Sequence, residues 1–134
     1  MTGFALHPRL AADTIFVADD PLCRVLLMND ARYRWLVLVP RVAGAVELFD
    51  LAAPDRATLT EEIATASQTL KRLFGAAKIN VGALGNVVPQ LHVHIVARSP
   101  GDPAWPDPVW GHSPAVPYDD ATRAPVLAQL VNAR

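Results

Sequence analysis

Gln90-Leu91-His92-Val93-His94-Ile95-Val96 alternates polar and apolar residues as far as Ile95, the period of a β-strand with one face on a core. The alternation predicts Leu91, Val93 and Ile95 inward and Gln90, His92 and His94 in a row on the opposite face. Two imidazoles and a carboxamide on rigid backbone suit chemistry on an anion, because imidazole can attack phosphorus, donate a proton or hold a metal. The same row also fits a plain solvated sheet face, and the pattern alone leaves both readings open.

Working outward, residues 78–81 read as a strand joined to 90–98 by a loop carrying Gly82 and Gly85. Residues 58–74 read as a helix, with Thr58 and Glu61 as a capping box and an apolar stripe through Leu59, Ile63, Ala66, Leu70, Leu73 and Phe74. Lys71 and Arg72 suit its last turn, and Gly75 is placed to stop it. Residues 24–28 and 33–39 read as a hairpin around the Asn29-Asp30 turn, the second strand closed by Pro40. A short helical turn at 9–13 and an extended piece at 14–18 precede them. The fold class expected is α+β: an antiparallel sheet of about five strands with one main helix on a face.

Past Arg98, six prolines fall between residues 100 and 117, which excludes regular structure there. Trp105, Val109 and Trp110 are too apolar for a solvated linker, so residues 102–111 are expected to form an ordered strap, covering the core or walling a ligand. Residues 119–132 read as a short final helix, with Pro125 tolerated only near its first turn. One domain over 1–134 is expected, with a core at 14–98 and a Pro/Trp-rich extension at 99–134.

Twelve basic and thirteen acidic residues leave a net charge of −1, so no footprint for a DNA or RNA backbone is visible. Cys23 is the only cysteine, which rules out an internal disulfide and suits a reducing compartment. The N-terminus has no basic region followed by a long apolar stretch, and no segment has the length of a membrane span, so a cytoplasmic location is expected.

The motif resembles the signature of the histidine triad family, His-φ-His-φ-His-φ-φ with φ apolar, with Gln90 in the first histidine position. The resemblance extends to Asn80-Val-Gly-Ala-Leu-Gly-Asn86 before the motif and to Leu36-Val-Leu-Val-Pro40-Arg41 upstream. It implies a nucleotidyl hydrolase or transferase acting at the α-phosphate of a nucleotide conjugate, a dinucleoside polyphosphate or nucleoside phosphoramidate. No metal or other cofactor is required, and a homodimer is the usual assembly. His92 then takes the place of the nucleophile that forms a covalent nucleotidyl-histidine, its other ring nitrogen held by a backbone carbonyl of the motif. His94 would contact the bridging atom and help the leaving group depart. Asn29 resembles the residue that holds the ribose hydroxyls, while Asn80, Gly85 and Asn86 resemble the loop that cradles the phosphate.

Two departures stand together. Gln90 replaces the first histidine, and Trp35 stands where a second histidine usually buttresses it. The indole can donate one hydrogen bond and the carboxamide can accept it, so the two side chains are expected to meet. Val87 removes a usual phosphate-binding hydroxyl. Two other readings remain: a catalytically silent nucleotide-binding module, and a metal enzyme with His92 and His94 as ligands, for which only His7, His112 and unplaced carboxylates could complete the set.

Overall fold

The computed structural model describes residues 3–134. A short helix α1 (Pro8–Asp13) leads into β1 (Thr14–Asp19), β2 (Cys23–Met28) and β3 (Arg34–Pro40). A 3-10 turn at Leu48–Asp50 then precedes the long helix α2 (Ala53–Phe74), followed by β4 (Lys78–Gly82), β5 (Val93–Arg98) and α3 (Asp120–Asn132). The five strands form one antiparallel sheet in the order β1-β2-β3-β5-β4. The α+β architecture expected from the sequence is the one observed.

Both sheet faces are covered, because β3 alternates between two apolar sets. Leu36 and Leu38 join Val25, Leu27, Val93 and Ile95 in a cluster that packs on Leu59 and Leu70 of α2 and on Val126 and Leu130 of α3. Trp35, Val37 and Val39 face the other way, with Leu26, Val96, Leu10 of α1 and the strap residues Ala104 and Val109. Two layers cover the sheet, so a strand between them reads as a continuous apolar run.

Two elements start more than one residue from where they were expected. α2 begins at Ala53, five residues before the capping box proposed as its start. Pro54 lies in the first turn, where its missing N–H costs nothing, and the Thr58 hydroxyl instead bonds the Pro54 carbonyl inside the helix. Gly75 does end α2, in the left-handed conformation at φ 62°. Ladder pairing of β5 begins only at Val93, so residues 90–92 lie outside the ladder. Pro125 sits inside α3, beyond the first turn.

Glu62 ties helix to sheet. Its buried carboxylate accepts hydrogen bonds from the main-chain N–H of Leu22 (3.0 Å) and Cys23 (2.8 Å). Cys23 is fully buried, and burial, followed by the nearby Glu62, pushes its thiol far above the usual range. That side chain is an inert part of the core.

Candidate active site

β5 and the residue just before it bring His94 and His92 to the strap side of the sheet, but they do not decorate a solvated face. They are only 6% and 7% exposed. Their rings meet edge to face at 4.9 Å between centroids. The indoles of Trp35 and Trp110 pack on His94 at 5.5 and 5.7 Å. Trp110 reaches that position because Gly82 has no side chain; a Cβ there would stand 3.1 Å from the indole edge. The strap therefore does both things proposed for it: Ala104 and Val109 complete a core, and Trp110 walls the site.

Hydrogen bonds fix opposite roles for the two imidazoles. His92 Nδ1 lies 2.7 Å from the Gln90 carbonyl. A carbonyl can only accept, so Nδ1 carries the proton and Nε2 keeps a free lone pair. The Trp35 indole N–H donates to His94 Nδ1 at 3.0 Å. An indole N–H can only donate, so a neutral His94 carries its proton on Nε2. Burial, and then the neighbouring His92, lower the His94 pKa to about 4. One side chain thus offers a nucleophile and its neighbour a neutral hydrogen-bond donor.

That depressed value has a consequence for stability. The unfolded chain protonates this imidazole near 6.5, while the folded chain resists until about pH 4. The contribution of His94 is therefore complete above pH 6.5 and is lost as the pH falls toward 4, by about 3 kcal/mol in all. We expect Trp35→Phe, which removes the donor that favours neutral imidazole, to raise the His94 pKa. NMR titration of the His94 ring checks it, and an unchanged midpoint would contradict the assignment.

A cleft of about 510 Å³ opens on both histidines. Its walls come from α1 (Arg9, Leu10, Asp13), Met28 of β2, the loop 84–88 and Trp110. Gly85, at φ 74°, and Asn86 belong to that loop, so the structure brings them together with His92 and His94. Asn80 and Asn29 it does not. The Asn80 carboxamide oxygen accepts from Arg98 at 2.8 Å, and that of Asn29 accepts from the Tyr118 main-chain N–H at 3.0 Å. Neither lines the cleft.

The expected Gln90–Trp35 pair is corrected. The indole N–H is taken by His94, because Trp35 sits opposite Val96 in the β3–β5 register, near His94 and six residues beyond Gln90. The Gln90 carboxamide turns instead to the N-terminal segment, accepting from His7 N–H and donating to the Ala5 carbonyl, both at 2.8 Å. His7 in turn caps α1, its Nδ1 accepting from Arg9 N–H at 3.0 Å.

Sequence reasoning missed Asp13 and Arg98. Asp13 lies at the end of α1 and, among the described residues, is the one carboxylate in the walls of that cleft. Arg98, 1% exposed, grips Asp102 with both arms of its guanidinium at 2.8 and 3.1 Å, and also bonds Asn80 and the Asp107 carbonyl. Burial works against the Asp102 charge, but the hydrogen bonds from Arg98 and from main-chain N–H groups outweigh it and hold the carboxyl below its usual range. A basic residue closing a buried strand was the available signal. Among the described residues no group of three or more His, Cys, Asp or Glu side chains is placed to hold a metal. No helix among them is long and apolar enough to cross a membrane.

Comparison with known proteins agrees with the fold. Residues 9–101 match the HIT domain family. A histidine triad protein from Bradyrhizobium japonicum is 46% identical, with a TM-score of 0.94 over 96% of each chain. Another, from Sinorhizobium meliloti, is 46% identical, with a TM-score of 0.95 over 98% of each chain. A third, from Marinobacter aquaeolei, is 48% identical, with a TM-score of 0.93 over 97% of each. A search of the curated proteins finds no match.

Proposed function

The chain belongs to the histidine triad (HIT) family, and from that premise we propose that it is a nucleotidyl hydrolase or transferase acting at the α-phosphate of a nucleotide conjugate. The observation that carries this reading is the complementary pair of imidazoles on one cleft, a bare Nε2 on His92 beside an Nε2–H on His94.

In the first step the His92 Nε2 lone pair forms a bond to phosphorus as the bond from phosphorus to the leaving oxygen or nitrogen breaks. The leaving group departs with that electron pair and takes its proton from solvent. His94 stays neutral and keeps its proton, acting as a hydrogen-bond donor to an oxygen on which charge develops. In the second step water attacks phosphorus and gives up a proton to solvent, the nitrogen–phosphorus bond breaks, and the lone pair returns to His92. The test is to incubate the protein with adenylyl and guanylyl conjugates, follow mononucleotide release, and trap the phosphohistidine by acid-free mass spectrometry. Release without any trapped adduct on His92 would sink the covalent route, and nucleotide binding without release would favour the silent module.

Asp13 takes the part first given to Asn29. A carboxylate can accept from both hydroxyls of a ribose diol, and among the described residues Asp13 pairs only with Arg9, at 3.5 Å in an exposed pair. We expect Asp13→Ala to raise KM about tenfold for ribonucleotide conjugates and distinctly less for 2′-deoxy substrates, which offer the carboxylate only one of the two hydroxyls. Equal effects on both sugars would remove Asp13 from the ribose site. Assembly as a cytoplasmic homodimer belongs to the same reading. Light scattering of the purified protein tests the dimer.

A further inference from the structure

Gln90 stands on a stretch with little main-chain support. Pro89 has no N–H to give and the β5 ladder starts only at Val93, so the main-chain hold on the peptide unit that carries the Gln90 carbonyl is its Leu91 N–H, which donates to the Ala45 carbonyl at 2.9 Å. Yet the carbonyl that sets the His92 tautomer belongs to this stretch. The side chain of the same residue adds a second hold. The carboxamide accepts from His7 N–H and donates to the Ala5 carbonyl, two groups of one extended segment, each at 2.8 Å. A carboxamide suits this because its donor and acceptor project side by side, whereas the two nitrogens of an imidazole point apart.

We propose that Gln90 is a positioning residue that ties the N-terminal segment to the nucleophile: its carboxamide clamps Ala5 and His7, and its main-chain carbonyl, thereby held in place, orients the His92 ring. The clamp works in both directions. His7 caps α1, and α1 carries Arg9, Leu10 and Asp13 into the cleft wall. One residue therefore sets the nucleophile on one side of the cleft and the wall that faces it on the other. The N-terminal segment is part of the catalytic apparatus although none of residues 5–7 lines the cleft.

The catalytic side of this inference rests on the hydrolase reading, so its test includes a readout that needs no turnover. Long-range proton–nitrogen NMR reports the His92 tautomer directly. In wild type the proton is expected on Nδ1. Gln90→Leu keeps the bulk and removes both clamp bonds; it should mix the two tautomers and lower kcat about a hundredfold with KM changed far less. Gln90→Glu keeps the acceptor for His7 and loses the donor to Ala5, and should fall between. His7→Pro removes the N–H at a residue whose φ of −55° already suits proline, and should move the tautomer in the same direction as Gln90→Leu. An unchanged tautomer in Gln90→Leu overturns the proposal. So does a complete loss of kcat with the tautomer intact, since the side chain would then act on substrate itself. If wild type turns over no nucleotide conjugate, the hydrolase reading fails by itself, and the tautomer shift alone decides for or against the clamp. Circular dichroism confirms folding, and Gln90→Glu carries the test if Gln90→Leu does not fold.

Discussion

We expect His92→Asn to eliminate turnover, with a loss of at least about a thousandfold in kcat and no change in fold. Asparagine keeps a polar side chain on the strand but has no lone pair that can form and then release a bond to phosphorus. What survives is positioning by the loop at Gly85 and Asn86 and hydrogen bonding by His94, and these alone give modest rates. The His92 ring meets His94 edge to face, so the substitution leaves a small void in an otherwise packed site; we expect it to cost about 1 kcal/mol. Steady-state kinetics on any conjugate that wild type cleaves checks the result. Retention of more than about a tenth of the activity would show that the nucleophile lies elsewhere.

The largest effect on stability falls at a residue remote from the chemistry. Arg98→Met should destabilise the fold by about 3–5 kcal/mol, the range seen when one partner of a buried ion pair is removed. Methionine fills much of the space but leaves the Asp102 carboxylate, the Asn80 carboxamide oxygen and the Asp107 carbonyl without their donor. Arg98→Lys keeps the charge without the fork and should cost less. Urea unfolding with linear extrapolation measures both. A loss below about 1 kcal/mol for the methionine variant would show that the strap is held by apolar contacts alone. The strap carries Trp110 against His94, so Arg98→Met should also let the His94 pKa rise toward its ordinary value.

Much of this was legible in the chain, for definable reasons. Strict alternation in 90–95 fixed which side chains share a face, and the apolar stripe through Leu59 and Leu70 identified the helix that covers the other one. Periodicity reports burial, and burial is what these elements have in common. The start of α2 escaped because Pro54 is compatible with a first turn, and Thr58 with Glu61 mimics a start wherever it occurs. The partners of polar side chains escaped for a different reason. Asn29, Asn80, Gln90 and Trp35 each make a hydrogen bond to a residue distant in sequence. Such pairings depend on register and on where the two chain ends cross the sheet, which leave no local pattern. Composition could place a donor and an acceptor but could not say whose.

The alternating burial of β3 carries one more implication. Its even-numbered residues, Leu36 and Leu38, serve the helix-side core, and its odd-numbered ones, Trp35, Val37 and Val39, serve the core beneath the histidines. In a library covering every substitution across this strand, damage should sort by parity. Variants at even positions would be depleted by an abundance screen, as their defects unseat helices. Variants at Trp35 and Val37 that keep that core packed and still accumulate would drop out of a screen for activity, since Val37 pairs with His94 in the ladder and Trp35 bonds its ring. One stretch of backbone would then give two separable phenotypes, one residue apart.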